Sequence, residues 1–291
     1  MEFSGVHTPI VTPFDADGGI DYGVLEQLIG FQIDNGVVGI LPGGSTGEFY
    51  ALTPDERHAL NRFVMECTGD RAFLMAGTNA TTTADVIAYS RDAQDMGYSA
   101  VMLAPPYYSL PEQDDLLRHF LSVLDAIDIP LVLYNFPGRA GVEIGYDVLD
   151  GLADHPQVAA IKESSGDITR LHSILERYQG RIQLICGADD QAYEYFAWGV
   201  KSWICGAANP APAENVAVLN AAVSGDLAAA KAAMETLMPL VVSLEGGKYI
   251  QKAKYGMELA GVPCGPTRAP LLELSAAEKA EFKAIYESLK G

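Results

Sequence analysis

One lysine stands apart as the side chain in this sequence best suited to covalent chemistry. Lys162 is the only lysine in the first 200 residues, and the other eight lie at Lys201 or later. It directly follows the apolar run 158–161, which is typical of a β-strand. At a strand end in the mouth of a β/α barrel, partial desolvation would favour a neutral amine, which attacks carbonyl carbons. The alternative is an ordinary strand-end lysine that reaches solvent or pairs with Glu163.

A glycine-rich segment at 42–48, Pro-Gly-Gly-Ser-Thr-Gly-Glu, follows the second predicted strand. Its two hydroxyl residues, Ser45 and Thr46, stand between glycines, and a turn of this kind exposes backbone N–H groups that can bind a carboxylate or a phosphate. The segment lacks the lysine of a P-loop. An ordinary Gly-Ser-Thr turn has the same composition, and this alternative stays open.

Phenols and a guanidinium follow the fourth and fifth predicted strands. Tyr134 lies near the end of the fifth strand, one strand before Lys162, and its phenol could deliver a proton to a developing alkoxide or carbinolamine. Arg139 lies just beyond it, where its guanidinium could hold a carboxylate. Tyr107 and Tyr108 follow the fourth strand, although clustered tyrosines often serve packing alone. Lysine, phenol, anion-binding turn and arginine together form the set needed for imine formation with a 2-oxo acid.

The scaffold that would position these residues is predicted by eight short apolar runs that alternate with helical segments. The runs are continuously apolar, as in parallel strands covered on both faces, and lie at 5–11, 37–41, 72–77, 100–104, 130–135, 158–162, 181–187 and 202–206. Helical spacing is found between them, for example at 22–35, 54–68, 83–96, 114–127 and 168–178. Eight such units predict an α/β fold of the (β/α)8 TIM-barrel type, with an open doubly wound sheet as the alternative.

From residue 207 onward the sequence becomes alanine-rich and helical, without a further strand. Helices are predicted at 219–223, 228–242, 248–260 and 276–290. One of them supplies the eighth barrel helix. We therefore expect a barrel over residues 1–223 and a C-terminal helical extension over 224–291 that packs on the barrel and provides subunit contacts.

Composition and charge narrow the classes of function. Of the 291 residues, 49% are apolar and 20% charged, the balance of a globular protein. Acidic residues outnumber basic ones 38 to 19, and the net charge of −19 repels nucleic acids and anionic membranes. No apolar run approaches the ~18 residues of a membrane span and no signal peptide is visible, so we expect a cytoplasmic protein. The four cysteines and five histidines show no metal-ligand spacing, and no metal is expected.

The order of these motifs resembles the dihydrodipicolinate synthase/N-acetylneuraminate lyase family of class I aldolases. Four segments carry the resemblance along essentially the whole chain: Thr-Pro-Ile-Val-Thr-Pro-Phe at 8–14, Gly-Ser-Thr-Gly-Glu at 44–48, Tyr-Asn-Phe-Pro at 134–137 and Ile-Lys-Glu-Ser-Ser-Gly-Asp at 161–167. The resemblance implies a (β/α)8 barrel, a covalent lysine imine with the substrate and no separate cofactor. It also implies a homotetramer built as a dimer of dimers.

Roles for individual residues follow from the resemblance. Lys162 is implied as the Schiff-base lysine and Tyr134 as the acid/base phenol above it. Ser45 would link Tyr134 to Tyr108 in a proton relay, with Tyr108 reaching across from a neighbouring subunit. Thr46 and the N–H groups around it would hold the carboxylate of pyruvate.

Other positions bear on the branch of the family. Gly187 and Ile204 match positions that line the pocket near the imine. Arg139 stands where the synthase branch keeps an arginine, which physically suits a second substrate with a carboxylate. Against this, a serine in the glycine-rich loop, where synthases usually have threonine, is closer to the sialic-acid lyase and sugar-acid branches. Asp189 and Asp190 could bind the hydroxyls of a sugar acid, although capping of the next helix is the more frequent role.

We therefore expect a Schiff-base lyase that acts on pyruvate or a related 2-oxo acid, most like the dihydrodipicolinate synthase branch, with an aldehyde or sugar acid as the second small molecule. The alternatives are a 2-keto-3-deoxy sugar-acid aldolase or dehydratase, an N-acetylneuraminate lyase-like enzyme, a related cyclic-imine deaminase, and a non-catalytic homologue. Lysine-inhibited synthases carry polar and histidine residues in the segment that matches 49–57. Here that segment includes Phe49, Tyr50, Pro54 and Arg57, so no inhibition by lysine is expected.

Overall fold

The computed structural model describes residues 2–290, and within this range eight parallel strands close into a barrel. Strands β1 to β8 span Gly5–Pro9, Gly39–Leu41, Phe73–Gly77, Ala100–Leu103, Leu131–Asn135, Val158–Glu163, Gln183–Cys186 and Ser202–Ile204. Strand β1 pairs with β2 on one side and with β8 on the other, which excludes an open sheet. The predicted (β/α)8 barrel is confirmed.

Helices alternate with the strands and continue beyond the last one. Helices α1 to α12 span Tyr22–Asp34, Pro54–Thr68, Thr83–Met96, Gln113–Leu124, Pro137–Ala140, Tyr146–Leu152, Ile168–Arg177, Ala192–Ala197, Pro212–Val223, Leu227–Glu245, Tyr249–Leu259 and Ala276–Lys290. The predicted C-terminal helical extension is confirmed as α10 to α12. The division at residues 223 and 224 stays a prediction, and its outer limits, residues 1 and 291, lie outside the described residues.

Three short helices, α5, α6 and α8, have no counterpart among the predicted helices. They contain four to seven residues. An apolar period of 3.6 residues is poorly sampled over fewer than two or three turns, so local pattern carries little signal there. Helix α2 begins with a capping box: Thr53 accepts from the N–H of Glu56, and the Glu56 side chain accepts from the N–H of Thr53.

The barrel has an inner core and an outer one, because successive side chains of a strand point to opposite faces. Met102, Val132, Tyr134, Ile185 and Ile204 belong to a cluster inside the barrel. A larger cluster lies between strands and helices. Tyr134 on β5 and Lys162 on β6 are partners in the strand register, and both side chains point into the barrel.

Glu163, the next residue along β6, points away from the barrel interior and is fully buried. Its carboxylate accepts from Asn135 Nδ2 at 3.0 Å, from Ser165 N at 2.7 Å and from Arg170 Nε at 2.9 Å. These bonds tie the ends of β5 and β6 to the first turn of α7. They fix the strand end that carries Lys162.

Helix α10 corrects one expectation from the sequence. By length and composition alone it is apolar enough to cross a membrane, although no run of that kind was expected. In the structure it packs against α9, α11 and α12 as part of the C-terminal extension. Its buried side chains are Ala230, Met234, Leu237, Leu240, Val241 and Leu244.

Candidate active site

An open cavity of about 220 Å³ lies at the carboxyl ends of the barrel strands. Its wall brings together seven of the eight predicted site residues: Ser45, Thr46, Tyr134, Arg139, Lys162, Gly187 and Ile204. They come from five different strands or the loops that follow them, so the convergence is a product of barrel closure. Tyr108 is not in this wall.

Lys162 lies almost fully enclosed in the cavity wall. It is only 6% exposed, and its Nζ lies 4.2 Å from the centroid of the Tyr134 ring. Among residues 2–290, Nζ has neither a carboxylate within ion-pair distance nor a hydrogen-bond acceptor. The pairing with Glu163 considered above is wrong, because Glu163 pairs with Arg170 on the other side of the sheet. The amine is thus left available to a ligand.

Gly187, directly after β7, leaves the space that the Lys162 side chain occupies. A Cβ at this position would lie 2.2 Å from Ser164 Oγ and 2.6 Å from Lys162 Cγ. Ser164 Oγ also donates to the Gly187 carbonyl at 2.7 Å. Glycine is therefore required here by close approach of β6 and β7.

The turn at 43–48 has the features of an anion site. The backbone N–H groups of Ser45 and Thr46 donate to no protein acceptor within the described part of the chain. Gly43 has a φ of 66°, and a Cβ at Gly77 would lie 2.4 Å from the Gly43 carbonyl oxygen. The turn is thus held tightly against β3 with two donors free at the cavity wall, as a carboxylate-binding turn requires.

The same turn is anchored from below by the C-terminal extension, which the sequence did not indicate. Glu48 is buried in left-handed backbone with a φ of 56°, and its carboxylate lies 2.8 Å from Lys254 Nζ of α11. The Arg268 N–H donates to the same carboxylate at 3.0 Å, and Lys254 Nζ donates to the Pro266 carbonyl. Burial lowers the pKa of Lys254, and the Glu48 carboxylate opposes that shift.

The predicted proton relay has its members near one another but not bonded in the single chain. The hydroxyls of Tyr134 and Ser45 form no hydrogen bond with another protein group between residues 2 and 290. Both residues also border a second, more apolar hollow of about 240 Å³, next to Tyr107. Tyr108 is 94% exposed with a φ of 73°. Its participation from a neighbouring subunit stays a prediction.

The guanidinium groups of Arg139 and Arg57 differ in whether they are free to bind a ligand. Arg139 is exposed at the edge shared by the two hollows, and its guanidinium has no acidic partner among the described residues. Arg57 is buried, donates to the carbonyls of Gly77 and Asn79, and lies 3.7 Å over the ring of Tyr89. Arg139 is free to bind an anion, whereas Arg57 is fully engaged.

Asp189 does not have the capping role that was expected. Its carboxylate accepts from Trp203 Nε1 at 2.9 Å, from Ala207 N at 3.2 Å and from the Tyr249 hydroxyl at 3.3 Å. It is buried, which raises its pKa, while Lys162 opposes the shift. The carboxylate therefore joins the ends of β7 and β8 to the first residue of α11.

Three residues of the extension complete the cavity wall: Glu245, Tyr249 and Ile250. No sequence motif marks these three residues, because they lie at a helix–helix junction whose composition resembles ordinary packing. No group of three His, Cys, Asp or Glu side chains that could hold a metal ion occurs within residues 2–290.

The fold and this cavity define a barrel lyase of the class I aldolase type. The chain matches the model of the dihydrodipicolinate synthetase family over residues 2–289 and belongs to that family. It is 35% identical over 289 residues to the 4-hydroxy-tetrahydrodipicolinate synthase of Exiguobacterium sibiricum, covering 99% of each chain.

Solved structures agree with this assignment. The dihydrodipicolinate synthase of Aquifex aeolicus superimposes with a TM-score of 0.95 at 30% identity, with 99% of this chain and 98% of that one covered. The chloride-inhibited synthase of Acinetobacter baumannii, solved in complex with pyruvate, gives a TM-score of 0.96 at 29% identity and covers 99% of both chains.

Proposed function

We propose that the protein forms a Schiff base between Lys162 and pyruvate and condenses the resulting enamine with an aldehyde that carries a carboxylate. This is the activity for which its relatives are named, 4-hydroxy-tetrahydrodipicolinate synthase. One observation carries the proposal: a buried lysine amine, without a counter-ion among residues 2–290, lies against the Tyr134 ring in a cavity that also holds two backbone N–H groups with no acceptor in that range. No separate cofactor is needed, because the imine itself withdraws electrons.

The first half-reaction uses the turn, the lysine and the phenol. The pyruvate carboxylate accepts hydrogen bonds from the N–H groups of Ser45 and Thr46, which brings C2 toward Lys162 Nζ. The amine attacks C2, and Tyr134 transfers the protons by which the carbinolamine loses water and becomes an iminium ion. Loss of a C3 proton from the iminium gives the enamine.

The second half-reaction uses the other side of the cavity. The enamine C3 attacks the aldehyde carbon, and a C–C bond forms as the carbonyl oxygen takes up a proton. Arg139 holds the carboxylate of the aldehyde with its free guanidinium. Water then adds to C2 of the product imine, and collapse of the carbinolamine breaks the bond from C2 to Lys162 Nζ, which releases the product as a 2-oxo acid and restores the amine.

A second candidate is cleavage or dehydration of a 2-keto-3-deoxy sugar acid on the same imine, or a lyase reaction of the N-acetylneuraminate type. The observation that favours it is the row of acidic residues in the wall, which could accept hydrogen bonds from hydroxyl groups. The two candidates differ in net direction. A synthase consumes pyruvate in the presence of an aldehyde, whereas a lyase releases pyruvate from a longer acid.

Borohydride trapping with pyruvate tests the shared first step. We expect a reduced adduct on the proteolytic peptide that contains Lys162, detected by mass spectrometry, and none in a Lys162→Ala variant. Lys283→Ala, which changes an exposed lysine, should retain the adduct. A folded wild-type protein that is not labelled by pyruvate or by longer 2-oxo acids would refute the proposal.

Two further variants test the remaining roles. Tyr134→Phe should slow turnover about 10²–10⁴-fold, the range for loss of a general acid or base. Arg139→Ala should raise KM for the aldehyde far more than KM for pyruvate. A near-normal rate in the first variant, or equal effects on both substrates in the second, would remove the residue from its role.

A further inference from the structure

Asp189 is a buried carboxylate that forms no ion pair in the described part of the chain. Three carboxylates are buried there, and two of them have a cation in contact: Glu48 pairs with Lys254, and Glu163 pairs with Arg170. No lysine, arginine or histidine between residues 2 and 290 lies within ion-pair distance of Asp189. A buried charge without a partner is costly, so its place in the cavity wall calls for a positive charge nearby.

Lys162 is the buried lysine that matches it. Two lysines are buried in the described chain, and Lys254 already has Glu48 as its partner. Lys162 lies on β6, Asp189 follows the neighbouring strand β7, and both border the same cavity. Burial raises the pKa of Asp189, and the charge of Lys162 opposes that shift. The two groups are therefore close enough for their charges to interact, although they are not in contact.

Three donors hold the Asp189 carboxylate away from the lysine. Trp203 Nε1 donates to one oxygen, and both the N–H of Ala207 and the hydroxyl of Tyr249 donate to the other. An N–H group can only donate, so one N–H on each oxygen favours the ionised carboxylate. The carboxylate cannot turn toward Lys162 without the loss of these bonds.

Other ionisable groups face the two charges from the neighbouring elements. They are Tyr134 on β5, Arg139 on α5, Cys186 on β7, Asp190 after β7, Cys205 after β8, Glu245 at the end of α10 and Tyr249 on α11. Burial raises the pKa of both thiols and of Tyr249, which keeps these groups neutral at neutral pH. Asp190 and Glu245 are exposed, so solvent screens their charges. Among the described residues of the wall, Asp189 is the one buried carboxylate.

We propose that Asp189 is a positioning residue for the imine chemistry, which supplies from a fixed place the negative charge that stabilises the iminium ion on Lys162. The inference rests on the proposed function and deepens it. Because the carboxylate is not in contact with the amine, the amine stays free to attack C2 of pyruvate. When the carbinolamine then loses water, the nitrogen gains a positive charge, and the opposite charge is already in place.

The contribution of this charge should depend on pH in a way that a purely structural role does not reproduce. At a pH where the resting lysine is neutral, formation of the iminium ion creates a positive charge, and the carboxylate favours that step. At a lower pH the resting lysine is already an ammonium ion, so the charge is the same before and after the step. The carboxylate then favours neither state.

Borohydride trapping at increasing pyruvate concentration measures the apparent dissociation constant of the imine. In Asp189→Asn this constant should rise about 10-fold at about pH 9, as for a charge interaction of one pKa unit, and less than about 2-fold at about pH 6. Asp189→Ala is measured in parallel, because the asparagine amide places a second donor against Trp203 or Ala207 and could disturb folding. Asp189→Glu keeps the charge and should change the constant by the same factor at both pH values.

Two controls isolate the effect of Asp189. Asp154→Asn removes a carboxylate outside the cavity wall that is 87% exposed, and it should leave the constant unaltered at both pH values. Burial, reinforced by Asp189 and Asp190, raises the pKa of Glu245 to about 7, so this carboxyl titrates between the two conditions. The pH-dependent loss caused by Asp189→Asn should therefore persist when Glu245→Gln is also present.

The inference is overturned if removal of the Asp189 charge weakens the imine by the same factor at both pH values, or if the pH dependence disappears with Glu245→Gln. It is also overturned if Asp189→Glu shows the same pH dependence as Asp189→Asn. In each of these cases the wild-type adduct at Lys162 is still formed, and the proposed function stands. A wild-type protein that forms no adduct refutes the proposed function and this inference with it.

Discussion

At the residue scale, the site depends on a position without a side chain and on a lysine without an acidic partner in the described chain. Lys162 reaches the cavity only because position 187 has no side chain, and in the described part of the chain it lacks a counter-ion because Glu163 is committed to Arg170. Alternation along β6 produces this separation: neighbouring residues face opposite sides of the sheet, so the amine and the carboxylate cannot meet.

Gly187→Ala should therefore disable the site while leaving the barrel folded. The added methyl group meets Ser164 Oγ and the Lys162 stem, and the lysine side chain, which is the more mobile of the two, must move. We expect turnover and borohydride trapping to fall by about 10²-fold or more, as for other displacements of about 1 Å at a reacting group.

Gly30→Ala is the matched control for this change. Gly30 lies within α1, and a Cβ there meets no atom within 4 Å. Activity should be unchanged, and the free energy of unfolding should rise by about 0.5–1 kcal/mol because alanine favours a helix. Full activity in Gly187→Ala would show that the lysine approaches its substrate by another route.

At the element scale, the buried pair of Glu48 and Lys254 connects the glycine-rich turn to α11. The two side chains are 0% and 2% exposed, so each charge depends on the other. Removal of one partner from a buried ion pair typically costs about 3–5 kcal/mol, because the remaining charge is uncompensated. The pair thus couples the proposed carboxylate site to the extension.

Lys254→Met should lower the free energy of unfolding by about 3 kcal/mol or more and raise KM for pyruvate, since Glu48 would no longer hold the turn. The double variant Glu48→Gln/Lys254→Met should be less destabilised than the sum of the two single variants. Urea denaturation and pyruvate kinetics on all four proteins measure this coupling. Strict additivity would show that the two groups do not interact.

An exposed ion pair on α10 serves as the control for the buried pair of Glu48 and Lys254. Lys231 and Glu235 are 63% and 68% exposed and lie 3.6 Å apart. Lys231→Met should change stability by less than about 0.5 kcal/mol and leave KM for pyruvate unaltered, as expected for a solvent-screened pair.

At the scale of the whole molecule, two buried histidines make the folded protein less stable at acidic pH. Burial lowers the pKa of His7, packed between Phe3 and Phe73 in the barrel floor, and that of His119 on α4, each to about 4. The unfolded chain binds these protons below a pKa of about 6.5, the folded chain only near 4, so stability is lost as pH falls through this window. At pH 5 each histidine costs about 2 kcal/mol relative to pH 7.5.

Urea denaturation at pH 7.5 and pH 5 checks this expectation. His119→Phe should remove about half of the loss, whereas His172→Gln, which changes an exposed histidine, should not alter it. Equal stability of the wild-type protein at both pH values would mean that neither histidine stays neutral in the folded state.

Assembly is the other property of the whole molecule, and the exposed Tyr108 provides its test. If Tyr108 serves the site of a neighbouring subunit, co-expression of Tyr108→Phe with Lys162→Ala should restore activity that neither variant has alone. Random pairing makes half of the dimers mixed, each with one complete site, so about a quarter of the wild-type activity is expected. No recovery in mixed assemblies of demonstrated composition would confine Tyr108 to its own chain.

The barrel fold and most of the proposed site residues could be predicted from the amino-acid sequence alone. Eight apolar runs of strand length alternate with helices, and parallel strands place their carboxyl ends at one face, so residues that follow those strands must converge. This is why Lys162, Tyr134, Arg139 and the turn at 42–48 could be identified as neighbours. The pairing of β1 with β8 closes the barrel, so these residues line a single cavity.

The contacts between side chains distant in sequence become visible only in the folded protein. Glu48 with Lys254, and Asp189 with Tyr249, join the barrel to helices whose local sequence shows nothing but amphipathic packing. Helix periodicity fixes which side of a helix is apolar, but not which loop its end will reach, because that depends on packing angles summed over the whole extension. For the same reason, Asp189 is a buried hydrogen-bond acceptor in the structure, although the sequence suggested that it caps a helix.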